Sequence, residues 1–552
     1  MTTAYRLPPT PPVAPAAPRT AWLVASGDLR AAANVAGWPA QQALEQHITN
    51  LLDRLGWRVE RAHAVDTDRG HGFIDSQRHG LEVFATIPPD APLIVAEAVW
   101  QYSHHVLAGL RSHRGPILTL ANFDGQWPGL VGLLGLNACL TKMNVAYSSA
   151  WSVDFTDDWI INVVSEWLST GHIEHDSSHV HPWVGVPESP ERELGLALAT
   201  ELLNAKAIIG VFDEGCMGMY NAIIDDELLN AIGIYKERLS QSALYAEMQA
   251  VDPEEAEEAL AWLESRGMQF RWGTDEATEL TREQVLAQLA MYIAALRIAD
   301  DFGADAVGIQ YQQGLKDLAP ASDLAEGLLN NVARPPVRTR DGSRILWKDR
   351  ALPHFNEADE GVAVDALVTN RVWTAMGIDP ATTLHDVRWG EEFGGEFVWV
   401  FEISGSVPPS HFATEYREAQ GWRQSPVYFP RGGSTIRGVA KPGEIVWSRV
   451  YVAEGELRVD LGRARAVQLP VQETERRWAS TNPEWPIMHV VLPGIDRDQF
   501  MARHKANHIQ VAYATTADEA DRAFLAKASM FDALGVHVFV CGITPLTPSG
   551  TA

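Results

Sequence analysis

Pro92-Leu93-Ile94-Val95-Ala96 and Pro116-Ile117-Leu118-Thr119-Leu120 are short apolar runs, each long enough for one buried strand. Between them, Ala98 to Leu110 reads as a helix. Upstream, Ala21-Trp22-Leu23-Val24-Ala25 is another such strand, followed by helical periodicity from Gln41 to Leu55. The alternation restarts at Ala205-Lys-Ala-Ile-Ile-Gly-Val-Phe212. It ends with Ala304-Asp-Ala-Val-Gly-Ile309, a strand that delivers Gln310 and Gln312 at its tip. Strand–helix alternation implies parallel sheets covered on both faces. Two helix starts are signposted by their caps: Asp252-Pro253-Glu254-Glu255, and the capping box Thr281-Arg-Glu-Gln284 ahead of Val285 to Phe302.

The last third differs. Gly394 to Ile403 and Glu444 to Leu469 are rich in β-branched and aromatic residues, punctuated by Gly and Pro, and suggest an antiparallel sheet or barrel. The expected fold class is α/β: two Rossmann-like domains, then a mixed, β-rich C-terminal domain. The expected boundaries are a flexible arm over 1–19, a first α/β domain over 20–188, a second over 189–372 and the β-rich domain over 373–552.

At 552 residues the chain exceeds what one core serves, in keeping with several domains. Lys plus Arg number 44 against 71 Asp plus Glu, a formal charge of −27, which argues against nucleic acid and anionic membrane as partners. No apolar run is long enough to span a bilayer, and Met1-Thr2-Thr3-Ala4 does not open a signal peptide. Cys139, Cys216 and Cys541 are too few and too scattered for a disulfide framework, so a reducing cytoplasm is expected.

The chemistry-bearing stretches are Asn356-Glu357-Ala-Asp359-Glu360-Gly361, His385-Asp386-Val387-Arg388-Trp389 and Met501-Ala-Arg-His-Lys-Ala-Asn-His508. A glutamate, an aspartate and a histidine in these contexts make a hard-metal site with room for substrate oxygens. Their order resembles the L-fucose isomerase family, metal-dependent enzymes that interconvert aldoses and ketoses. The resemblance extends to Phe123-Asp-Gly-Gln-Trp-Pro-Gly129, Cys216-Met-Gly-Met219, Phe270-Arg-Trp-Gly-Thr-Asp275, Tyr428-Phe-Pro-Arg-Gly-Gly433, Trp485-Pro486 and Lys527 to Phe539.

The resemblance implies a metal held by Glu357, Asp386 and His508, with Glu357 and Asp386 as the acid–base pair. Glu360 and Asp359 compete with Glu357 for its role. The implied ion is Mn²⁺, or another divalent ion such as Mg²⁺ or Co²⁺. Implied sugar contacts are Gln310, Met217, Trp127, Trp485 and Asn507, with Ser434 standing where the family has a tyrosine. The Trp127 loop serves a neighbouring subunit in the family, so a homo-oligomer, a hexamer by resemblance, is expected. His504 stands where the family has tryptophan, flanked by Arg503 and Lys505, and no counterpart of the family's N-terminal sugar-contacting arginine is visible. The basic flank suits an anionic sugar, such as a 6-sulfonated hexose, or else pairs with surplus carboxylates on the surface. His172, His175, His179 and His181 read as an exposed loop cluster with at most adventitious metal affinity. The expected function is a metal-dependent aldose–ketose isomerase for a monosaccharide: a deoxyhexose, a pentose or an anionic hexose. The alternatives are a non-catalytic sugar-binding protein and a metal-dependent sugar lyase or epimerase.

Overall fold

The structure, a computed structural model, describes Val13 and residues 15–546. The expected arm over residues 1–19 therefore lies, but for its last few residues, outside the described part. Five parallel strands form the first sheet, in the spatial order Arg58–Arg61, Thr20–Val24, Leu93–Glu97, Ile117–Asn122, Ser148–Ser152. The central three are buried along their length or nearly so, as their apolar sequences require. The order reverses between Thr20–Val24 and Leu93–Glu97, which makes the crevice beyond their carboxyl ends the natural place for a ligand.

Helix Ala31–Arg54 begins ahead of the periodic stretch that announces it. Tertiary packing carries it through Gly37 and Pro39: a Cβ on Gly37 would meet Val99 at 2.6 Å. The helix expected over Ala98 to Leu110 is shorter than its sequence pattern, spanning His104–Ser112, and the residues before it form a loop that brings Trp100 to the domain junction. The second sheet has three parallel strands, Ala306–Ile309, Ala207–Phe212 and Ile234–Leu239, in that order. Its helices Pro253–Ser265 and Arg282–Phe302 start at Asp252 and Thr281, and the Thr281–Gln284 capping box is made in both directions.

Six strands of the last third close into a ring: Gly443–Ala453, His508–Ala514, Thr382–Phe393, Glu396–Glu402, Ile487–Val491 and Glu456–Ala466. Closure removes the edges that an open sheet would expose. His537–Cys541 and Val180–Pro182 extend the sheet from Glu456–Ala466. Thus the segment around residue 180 and helix Pro190–Ala205 serve the C-terminal part. Gly195 lets that helix approach Ala517–Ala533 so closely that a Cβ would lie 2.6 Å from the Ala526 carbonyl. In return, Val407, Phe412, Tyr416 and Ile436 pack into the core of the second α/β part. Chain order and packing unit differ here because strand pairing and apolar burial, not sequence distance, assign a segment to a core.

A buried ion pair fastens the ring to its covering helices. Lys527 Nζ donates to Asp365 Oδ1 at 2.5 Å, to Ser448 Oγ at 2.6 Å and to Thr369 Oγ1 at 2.7 Å. These groups join helices Glu360–Met376 and Ala517–Ala533 to strand Gly443–Ala453. Removing one member strands the other without water, which typically costs about 3–5 kcal/mol. Lys527→Met should therefore destabilise the protein by about that amount in denaturant unfolding.

Candidate active site

A cavity lies where the three parts meet. Arg30, Trp100 and Pro128 reach it from the loops after Thr20–Val24, Leu93–Glu97 and Ile117–Asn122. Met217 and Gln312 follow Ala207–Phe212 and Ala306–Ile309, two neighbouring strands of the second sheet. Both parallel sheets thus aim the carboxyl ends of their strands at one place. Glu357, Asp386, Arg388 and Asn507 form the wall contributed by the rest of the chain.

Asp386 and His508 are directly opposite on antiparallel strands, so their side chains share a face of the sheet. Glu357 is brought in by a tight turn in which Glu357 and Ala358 have φ of 57° and 51°. A side chain in the left-handed region costs on the order of 1 kcal/mol and persists where surrounding packing imposes it. Met217, also facing the cavity, has φ of 38°.

His508 is fully buried. Its Nδ1 lies 2.8 Å from Asp359 Oδ2. Its Nε2 is 3.4 Å from Glu357 Oε2 and 3.6 Å from Asp386 Oδ1, and has no hydrogen-bond partner. Among the described residues no group of three or more His, Cys, Asp or Glu side chains stands in an arrangement that would hold a metal ion without adjustment. This trio is an open arrangement on one wall. Burial works against charge on His508, but Asp359 and Glu357 outweigh it and raise the imidazole to about 9. Burial raises the Asp386 carboxyl to about 7, against the pull of His508. Asp359 is equally buried, yet Arg449 and His508 hold its carboxyl well below the ordinary range.

Glu360 faces elsewhere. It pairs with Lys236 Nζ at 2.8 Å and accepts from the Ile224 amide at 2.6 Å. Asp359, the other rival, sits behind His508 and pairs with Arg449 at 2.7 Å. The strand carrying Asp386 then bulges: Val387 and Trp389 pair with consecutive residues of the neighbouring strand, which leaves Arg388 as the extra residue. That bulge places Arg388 on the cavity wall, 3.4 Å from Glu402 and over the Trp485 ring. Burial drives the Glu402 carboxyl up to about 8, although Arg388 lowers it.

Of the sugar contacts implied by resemblance, Met217, Trp485 and Asn507 line the cavity. Gln310 does not; its carbonyl accepts from Gln241, and Gln312, two residues on along the chain, takes the place on the wall. Ser434 donates to the Thr435 carbonyl and is held at Gln288, so it packs in the interior, while Tyr428 supplies an aromatic wall. Trp127 packs against helix Ala31–Arg54 and is not among the residues that line the cavity.

The basic flank is committed to the fold. Arg503 pairs with Asp460 at 2.6 Å and lies over Phe539. Lys505 donates to Tyr147 and to the Ala502 carbonyl. His504 is buried, stacks on Phe500 and bonds the His508 carbonyl; burial lowers its imidazole to about 3. None of the three lines the cavity. The histidine cluster disperses: His175 stacks on Trp151, His179 is buried, and His172 and His181 are exposed.

Arg30, which no motif announces, also lines the cavity. It is buried, paired with Asp28 at 2.6 Å and stacked over Tyr428, on the cavity wall. Its signal was positional: it sits in Gly27-Asp28-Leu29-Arg30, just beyond the first strand of a parallel sheet, at the reversal of strand order.

Residues 403–530 match the family model described as L-fucose isomerase, C-terminal domain. This part of the chain is similar to an L-fucose isomerase C-terminal domain, and it lies within a mixed α/β protein. The matched span contains Asn507 and His508 and begins after Glu357 and Asp386. No curated protein matches the chain. No helix among the described residues is long and apolar enough to cross a membrane.

The raised imidazole has a consequence for stability. Between its ordinary 6.5 and about 9, the folded chain holds a proton on His508 that the unfolded chain has released. The contribution is complete below about pH 6.5 and is lost as pH rises through 9. In chelator-containing buffer, stability should fall over that window by on the order of 3 kcal/mol, and His508→Gln should lack this component of the fall.

Proposed function

We propose that the protein is a metal-dependent aldose–ketose isomerase acting on a neutral monosaccharide, a pentose or deoxyhexose. The observation that carries this reading is the fully buried Nε2 of His508, which makes no hydrogen bond and lies 3.4 and 3.6 Å from the carboxylates of Glu357 and Asp386, two residues of the cavity wall. A buried nitrogen without a partner is costly unless something occupies it. Two carboxylates and one imidazole are the donor set of a hard divalent ion such as Mn²⁺ or Mg²⁺. Glu357, Asp386 and His508 would hold that ion. When bound, it supplies the positive charge that an enediolate needs as the carbonyl moves from C1 to C2.

The chain's own groups account for the rest of the chemistry. Glu357 and Asp386 are the acid–base residues that take a proton from one carbon and return it to its neighbour. Asn507 donates to Asp386 at 3.4 Å and steadies it. Arg30, compensated by Asp28, and Gln312 offer hydrogen bonds to sugar hydroxyls. Trp100, Tyr428, Phe429 and Trp485 offer flat apolar surfaces to its C–H faces and keep water out. The substrate is assigned as neutral because Arg503 and Lys505 are engaged away from the cavity and the two guanidiniums on its wall, Arg30 and Arg388, each lie beside an acid, Asp28 and Glu402.

The test is incubation with Mn²⁺ and a panel of pentoses, deoxyhexoses and 6-sulfonated hexoses, with ketose followed by carbon-13 NMR. Ketose from a neutral sugar is expected. Binding without turnover would point to a sugar-binding protein, and cleavage or an inverted stereocentre to a lyase or epimerase. Glu357→Gln and Asp386→Asn should each lower kcat at least a hundredfold, on the order expected for losing an acid–base group, with an unchanged circular dichroism spectrum.

Metal affinity should also depend on pH in a defined direction. Because His508 holds a proton up to about pH 9, an incoming ion must displace it. The apparent Mn²⁺ association constant should rise by up to about tenfold per pH unit from 6.5 towards 9. Calorimetric titration with proton release measured in two buffers checks both sign and size.

A further inference from the structure

We propose that Asp359, braced by Arg449, is the positioning residue that fixes His508 as a metal ligand, an inference that rests on the metal-binding reading above. The two oxygens of Asp359 have separate duties. Oδ1 accepts from the amides of Gly361 and Val362 and caps helix Glu360–Met376. Oδ2 accepts from Arg449 Nη1 at 2.7 Å and faces His508 Nδ1 at 2.8 Å.

A carboxylate held in this way can only accept. The hydrogen of a neutral His508 ring must then sit on Nδ1, which leaves the Nε2 lone pair aimed at Glu357 and Asp386. All three groups are buried, with Asp359, Arg449 and His508 at 0%, 1% and 0% exposure, so water offers the ring no competing partner. Asp359 also follows directly on the left-handed pair Glu357–Ala358. One tight turn therefore sets both the glutamate and the group that orients the histidine.

Asp359→Asn separates this role from helix capping, because asparagine caps as well as aspartate. With its carbonyl oxygen kept at Gly361 and Val362, its amide nitrogen replaces Oδ2. A donor then faces Nδ1, the ring takes the other tautomer, and Nε2 carries the hydrogen. The expected result is a Mn²⁺ dissociation constant raised 10- to 100-fold by calorimetry. kcat at saturating Mn²⁺ should stay within several-fold of wild type, placing the defect in ligation. Because the single variant leaves Arg449 facing an amide, Asp359→Asn with Arg449→Met is the second arm, with the same expected loss. Arg449→Met alone keeps the Asp359–His508 contact and should bind Mn²⁺ within about threefold of wild type.

Full Mn²⁺ affinity in either asparagine-bearing variant, beside a wild type that binds and a His508→Gln that does not, would overturn the orientation role and leave the metal site standing. An equal loss in Arg449→Met would also overturn it, since the effect would then be general damage to the buried pair. If wild type and His508→Gln bind alike, both the metal-site reading and this inference fall.

Discussion

The buried carboxylate of Asp359 is the contact on which the site depends. It caps a helix, pairs with Arg449 on a barrel strand and holds the ring of His508 on the neighbouring strand. A buried carboxylate is tolerable only when its lone pairs are filled, and here four donors fill them. That requirement ties helix, turn and two strands into one geometry. The turn that satisfies it forces Glu357 into a left-handed conformation, so local strain at the site is offset by the hydrogen bonding immediately after it.

A second acidic group behind the wall is managed differently. Asp323 and Glu326 are buried together, and burial drives both carboxyls upward, Glu326 to about 8. Glu326 nonetheless accepts from Asn356, the residue before Glu357, at 2.5 Å, and from Ser322. A carboxyl that accepts from Asn356 anchors the turn from its other end. Glu357 is therefore clamped between Asn356 and Asp359, which explains how one short turn keeps a strained acid in place.

Cations in this acidic chain are used for construction. Lys236 joins Glu214 and Glu360 and Lys527 joins Asp365, both cations almost wholly buried, and the half-buried Arg503 joins Asp460. A run such as Arg503-His504-Lys505 therefore says little about substrate charge, because with 71 acids to 44 bases a basic side chain is seldom without an acid in reach. The guanidiniums that do reach the cavity, Arg30 and Arg388, come from a loop and a strand bulge, where the backbone is free to turn a side chain across a domain junction.

Local pattern determined the two parallel sheets, the capped helices at Asp252 and Thr281 and the β-rich last third, since each depends on residues close in sequence. The family resemblance, carried by short motifs around Glu357, Asp386 and His508, likewise needed no coordinates. Tertiary structure alone decided which of Glu357, Asp359 and Glu360 faces the cavity. Three acids within four positions differ only in backbone angle, and the left-handed turn that sorts them is imposed by partners 90 to 149 residues away. It likewise put Gln312, Tyr428 and Arg30 on the cavity wall and left Gln310, Ser434, Arg503, His504 and Lys505 off it. Side-chain direction at a junction of three packed units follows from how those units pack, and no window of sequence contains that information.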